Sequence, residues 1–208
     1  NPWISYSVYL NNSFLPGLLQ LMILLVTVFS IGSEMKRATS REWLRTADDS
    51  IIIAITGKLI PQTIIFFSMG LLYLSLLYGY LHFPMHNSIW HMIFAMFLLV
   101  VASQSFAVII MCFAPSLRIG LSVGGLVGVL SLSIAGFSFP VAMYLPFQAI
   151  SYVLPVRHYF LIYVDQALNG IPLYYSRVHY VALILFAVAS TPLLPRLKKA
   201  LMRQVYVP

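Results

Sequence analysis

Apolar runs of about bilayer length divide this chain, with short polar breaks between them. A helix crossing the hydrocarbon core needs about 20 consecutive, mostly apolar residues. Residues 14–33 form the first such run, in which Gln20 is the one strongly polar side chain. Further runs cover 51–81, 88–113, 117–139 and 178–195. The pattern predicts an all-α, polytopic transmembrane bundle with about five spanning helices. Pro16 is expected in a first helical turn, where a missing N–H costs nothing. The 51–81 run exceeds a simple span, so tilt or an interfacial portion is expected. Pro61 inside it is a kink site that neighbouring helices can tolerate. Tyr73, Tyr78 and Tyr80 at its far end suit an aromatic belt. Ser88 stands where it can cap the third helix.

The breaks have characters of their own. Residues 1–13 form a lead-in. Residues 34–50 gather Glu34, Lys36, Arg37, Arg41, Glu42, Arg45, Asp48 and Asp49. A short amphipathic helix containing Glu42, Trp43 and Leu44 is expected there, capped by Thr39 or Ser40. Residues 140–170 stay apolar but are interrupted at Pro140, Pro146 and Pro155. Pieces that short read as external interfacial or re-entrant helices. The 117–139 run carries Gly120, Gly124, Gly128 and Ser131. Small residues four apart share a helix face and let two backbones approach closely. Packing inside one subunit and a role in a pathway or a partner contact both remain open for that face.

Composition strengthens the membrane reading. Of 208 residues, 61% are hydrophobic and 8% charged, and the mean hydropathy is +0.91. Soluble domains carry roughly 25% charged residues. The net charge of +7 does not indicate nucleic acid, because the cations flank apolar runs. Lys36, Arg37, Arg41, Arg45, Lys58, Arg118, Arg196, Lys198, Lys199 and Arg203 all fall on one side of a five-span topology. Arg157 and Arg177 fall on the other. The positive-inside rule makes the crowded side cytoplasmic. The 196–208 tail is then inside and Asn1 outside. An outside start without a signal sequence implies a spanning helix upstream of Asn1.

Chemical motifs are sparse. The sequence has no G-x-x-x-x-G-K-[ST] phosphate loop and no H-E-x-x-H. Neither a phosphate-loop ATPase nor a zinc hydrolase of that type is therefore encoded by motif. The single cysteine, Cys112, reads as a small buried hydrophobe. His82, His86 and His91 surround one turn without a nearby thiolate or carboxylate, a weak metal signal. Asp165 is the one acid after Asp49. It is either a functional group at membrane depth or an interfacial residue paired with Arg157 or Arg177.

Several elements in order resemble the ABC-2-type permeases, the membrane subunits of many bacterial ABC exporters. They are Ala135-Gly136-Phe137-Ser138-Phe139-Pro140, then Pro146, then Leu154-Pro155-Val156-Arg157-His158-Tyr159, then Leu168-Asn169-Gly170. Asn1-Pro2 and Leu15-Pro16-Gly17 fit the family's entry to this helix. Leu154 stands where the family usually has Asn. The resemblance covers essentially the whole chain. It implies the last five helices of a six-helix permease, preceded by a first helix and a large extracytoplasmic domain. The family's R-E-k-E-r-G-T element aligns with 33–39. Glu34, Arg37 and Thr39 match it, and Ser33 and Ala38 depart from it.

The resemblance assigns roles. Glu34, Lys36, Arg37, Thr39, Arg41, Glu42, Trp43 and Arg45 would couple to the ATPase. Gly136, Phe137, Phe139, Pro140, Pro146, Pro155, Arg157 and Asp165 would form the external gate and re-entrant region. The expected function is an exporter permease in the bacterial inner membrane, a homo- or heterodimer surrounded by lipid. ATP and Mg would sit on separate cytoplasmic ATPase subunits, with no cofactor or metal on this chain. Two alternatives come from other classes. One is a membrane-embedded lipid-modifying enzyme built on Asp165, Arg157, His158 and His179. The other is an ion-coupled secondary transporter, which would want acids inside its spans.

Overall fold

The computed structural model describes residues 6–134 and 150–203. Among them every regular element is helical, and five stretches are long and apolar enough to cross a membrane. Helix α1 is Tyr6–Lys36 and α2 is the short Ser40–Arg45. Helix α3, Ile51–Leu74, continues as a π-helical turn, Ser75–Tyr80. Helices α4 (Ile89–Phe113) and α5 (Leu117–Ile134) follow. Helix α6 is Pro155–Tyr163 with a π-helical extension, Val164–Leu168. Helix α7 is Leu173–Val188, and a 3₁₀ turn, Thr191–Leu193, joins it to α8, Leu194–Arg203.

One sequence expectation about local structure is corrected here. Pro16 lies inside α1 rather than in a first turn. Proline deprives the Asn12 carbonyl of its intrahelical donor. That turn is held from outside: the Tyr73 hydroxyl donates to the Asn11 carbonyl at 2.8 Å, and Tyr78 to the Asn12 Oδ1 at 3.2 Å. Those tyrosines therefore tie α3 to α1, whereas Tyr80 is exposed.

Helix α4 is the axle. Its polar trio Ser103, Gln104 and Ser105 is buried, and it packs against α1, α3, α5, α6, α7 and α8. Buried polar groups need partners. Gln104 accepts from the Thr63 hydroxyl at 2.8 Å and donates to the Leu59 carbonyl at 3.3 Å, on either side of Pro61. The Ser105 hydroxyl accepts the Ser190 N–H at 3.2 Å. By contrast, α3 turns Ile52, Ile53, Ile60, Ile64, Ile65 and Leu72 outward, as a lipid-facing helix does.

The glycine face of α5 packs on α1 within the subunit. A Cβ on Gly120 would lie 3.0 Å from Val28 and 2.8 Å from the Met111 sulfur, and one on Gly124 would lie 3.7 Å from Val28. Gly128 abuts Leu21. On the opposite side, a Cβ on Gly32 of α1 would come within 3.0 Å of the Leu117 Cα. Just beyond the last glycine, the Gln20 amide donates to the Ser131 hydroxyl at 2.9 Å.

Helix α6 falls within the segment expected to form external interfacial or re-entrant helices. It is short, yet Val156, Tyr159, Ile162, Tyr163 and Ala167 are all buried in the core with α4 and α7. It packs against α7 after a turn at Gly170 (φ +62). His158, near its start, stacks 5.8 Å from Phe186. Apolar composition alone does not distinguish a surface that faces lipid from one that faces protein.

Candidate coupling surface at the basic end

Helix α1 stops in a defined way. The Thr39 N–H bonds the Glu34 carbonyl at 3.0 Å, and the Ala38 N–H bonds the Met35 carbonyl at 3.3 Å. These are the two bonds of a Schellman stop, which needs a left-handed residue between helix and exit. Ala38 supplies it at φ 59. The family's usual Gly would take that conformation without the cost a Cβ adds.

The same device closes α2. The Asp49 N–H bonds the Leu44 carbonyl at 2.9 Å, and the Asp48 N–H bonds the Arg45 carbonyl at 3.2 Å. Asp48 and Asp49 are left-handed, at φ 50 and 56. Asp tolerates that region better than most residues. Helix α2 is therefore bracketed by two tight reversals, with Leu44 and Ala47 buried.

The eight residues assigned to this segment divide into two groups. Glu34, Thr39 and Trp43 are half-buried and build the local structure. Lys36, Arg37, Arg41, Glu42 and Arg45 are exposed. Glu34 receives the Thr39 hydroxyl and pairs with Lys58 at 2.7 Å. Thr39 is thereby turned away from capping α2, which has no side-chain cap. Lys58 also donates to the Ser30 carbonyl at 2.7 Å and lies 4.4 Å above the Trp43 ring. One lysine thus joins α1, α2 and α3. Sequence reasoning assigned Lys58 only to topology. Its one signal was a cation standing alone inside an apolar run.

Helix α8 completes this end. Leu194, Leu197 and Leu201 are buried beside Leu44, Ala47 and Ile51. Arg41 of α2 donates to the Met202 carbonyl at 3.3 Å, and Lys198 donates to the Asp49 carbonyl at 2.5 Å. The expected basic tail is thus a helix, with α2 resting against it.

The residues expected at the external gate, and the set offered for a lipid-modifying enzyme, are described in part. Gly136, Phe137, Phe139, Pro140 and Pro146 lie outside the described residues, and Pro155 opens α6. His158 Nε2 faces the Tyr152 carbonyl at 2.9 Å, and its Nδ1 faces His179 Nδ1 at 3.3 Å. If Nε2 carries the proton, His158 accepts at Nδ1 and His179 donates. Burial, followed by the charges of His179 and Arg157, holds His158 below the usual imidazole range, although the Tyr152 carbonyl opposes this. Asp165 takes the Ser176 hydroxyl at 3.0 Å. Among the described residues the one ion pair is Lys58–Glu34, so the expected arginine pairing of Asp165 is corrected to a serine contact. Arg157 lies over Tyr152 at 5.7 Å, and Arg177 over Tyr174 at 3.9 Å. His82 and His86 face the Tyr80 and Ala167 carbonyls. No cluster suited to a metal occurs among the described residues.

The family model described as ABC-2 type transporter matches residues 3–165. No curated protein and no solved structure matches the chain.

Proposed function

The chain belongs to the ABC-2 type transporter family, and from that premise we propose that it is the permease subunit of an ATP-driven exporter. Two permease chains, identical or not, form the pathway. Separate cytoplasmic ATPase subunits bind ATP and Mg and drive it. The basic end faces the cytoplasm, as the positive-inside rule requires, and the membrane is the bacterial inner membrane.

The observation that carries this reading is the mounting of α2. It is a short helix fixed at both ends, with Arg41, Glu42 and Arg45 turned outward and Leu44 turned inward. An amphipathic helix presented this way fits a groove on a soluble partner. Its load passes to α1 and α3 through Lys58, Glu34 and Trp43. Packed elements move as rigid bodies, so a push on α2 tilts both helices. The outer gate, proposed at Phe137 to Pro146, opens in response.

The test replaces Arg41 and Arg45 by Glu in the assembled complex. ATPase stimulation and export should both fall by roughly tenfold or more, as expected when interface charges are reversed. Wild-type values for both, in a complex of normal stoichiometry, reject α2 as the coupling element.

A further inference from the structure

Helix α8 carries two stripes with the same spacing. Leu194, Leu197 and Leu201 are buried, and Arg196, Lys199 and Arg203 each follow two residues later and are exposed. Two residues turn an α-helix by about 200°. The cations therefore point away from the leucine face, which the protein already occupies.

The level of this helix can be fixed. Phe113 ends α4 and is 59% exposed. The Arg196 guanidinium lies 4.6 Å from its ring centroid. An exposed phenyl at the end of a spanning helix marks the edge of the hydrocarbon, and an arginine over it marks the headgroup level. Lys199 is three residues further on, at most about 4.5 Å along the axis. The headgroup layer is roughly 5–8 Å thick, and an amphipathic helix lying along it, as the two stripes of α8 suit, keeps Lys199 in that layer. Arg118 follows Phe113 by five residues. It is exposed in the first turn of α5, after a tight loop in which the Ser116 N–H bonds the Ala114 carbonyl at 2.8 Å.

We propose that Arg196, Lys199 and Arg118 around Phe113 form a binding site for an anionic phospholipid headgroup in the leaflet at the basic end. The chemistry is specific. Guanidinium groups grip a phosphodiester through paired N–H donors, and the added negative charge of an acidic headgroup engages the lysine. Basic residues directly after a spanning helix favour acidic lipid by electrostatics that add per cation. The phenyl ring supplies an apolar contact for the upper acyl chain. The site is separate from the outward residues of α2.

The experiment uses the full-length protein in nanodiscs of phosphatidylcholine with a minor fraction of phosphatidylglycerol. Lipid retained after mild detergent extraction is counted by native mass spectrometry. The wild type should retain phosphatidylglycerol well above its share of the nanodisc. R196Q/K199Q should lower that enrichment on the order of tenfold, with thermal stability in pure phosphatidylcholine unchanged. R41Q/R45Q should leave it intact. Equal enrichment in wild type and R196Q/K199Q overturns the proposal. So does loss confined to R41Q/R45Q, which moves the site to α2. Loss of ATPase co-purification in R196Q/K199Q with lipid enrichment retained also overturns it, assigning the corner to a protein partner. If the double variant misfolds, R118Q alone carries the same lipid measurement, and an unchanged enrichment there counts against the site.

Discussion

Lys58 of α3 meets Glu34 of α1 at 2.7 Å, with both side chains about four-fifths shielded from solvent. A pair so placed lies between the surface case, worth little, and the buried case, where removing one partner strands a charge. Lys58→Met is expected to cost about 1–2 kcal/mol. A double-mutant cycle with Glu34→Gln should recover a coupling of about 1 kcal/mol, read from thermal unfolding in detergent. Additive single effects would show that the pair does not hold α1 to α3. Because Lys58 also supports Trp43, Lys58→Met should weaken ATPase stimulation while the partner still co-purifies.

Ala38 occupies the left-handed stop of α1 at φ 59. A non-glycine residue there costs about 1 kcal/mol, part of which glycine returns as unfolded-chain entropy. Ala38→Gly should therefore raise stability by about 0.5–1 kcal/mol, and Ala38→Val should lower it. A melting temperature that falls on introducing glycine would contradict the Schellman assignment.

Glycine positions give a paired comparison. The Leu117 backbone limits Gly32, whereas a Cβ on Gly57 meets nothing within 4 Å. Gly32→Ala should cost about 1–3 kcal/mol through forced separation of α1 and α5. Gly57→Ala, in a helix interior with open space, should gain up to about 1 kcal/mol. Similar losses at both sites would mean that α1 and α5 are not as close as described.

His158 gives a pH prediction with a definite sign. Its folded pKa is depressed, chiefly by burial, so the unfolded chain binds the proton more readily. Stability is then fully present above the ordinary imidazole value of about 6.5 and falls as pH drops through it. His158→Gln should reduce this acid sensitivity between about pH 7 and 5, measured by melting at a series of pH values. An identical pH slope in the variant removes His158 as its source.

The all-α class and the five spans were legible because bilayer thickness demands apolar length and little else. Tertiary register was not. The Lys58–Glu34 pair joins residues on different helices, and no local spacing announces it. The Schellman stop was hidden by an alanine in the glycine position. Helix α8 was legible in principle, since Leu194, Leu197 and Leu201 keep helical spacing, but the cations between them read as a solvated tail. Helix α6 was recognised as too short to span. Its burial depends on which neighbours surround it, which apolarity does not encode. For the residues proposed for coupling, charge density marked out the segment but could not separate inward Glu34 from outward Arg41.

The buried trio on α4 bears on how the protein is made. A helix released alone into lipid with Gln104 unpartnered would keep an unmet amide in hydrocarbon, at a cost of several kcal/mol. Ser103 answers its own need by bonding the Leu99 carbonyl at 2.6 Å. Gln104 cannot, and its partners Thr63 and Leu59 belong to the preceding span. The second and third spans thus have reason to leave the insertion machinery as a pair, and the backbone amide that reaches Ser105 arrives with the last span to close the assembly.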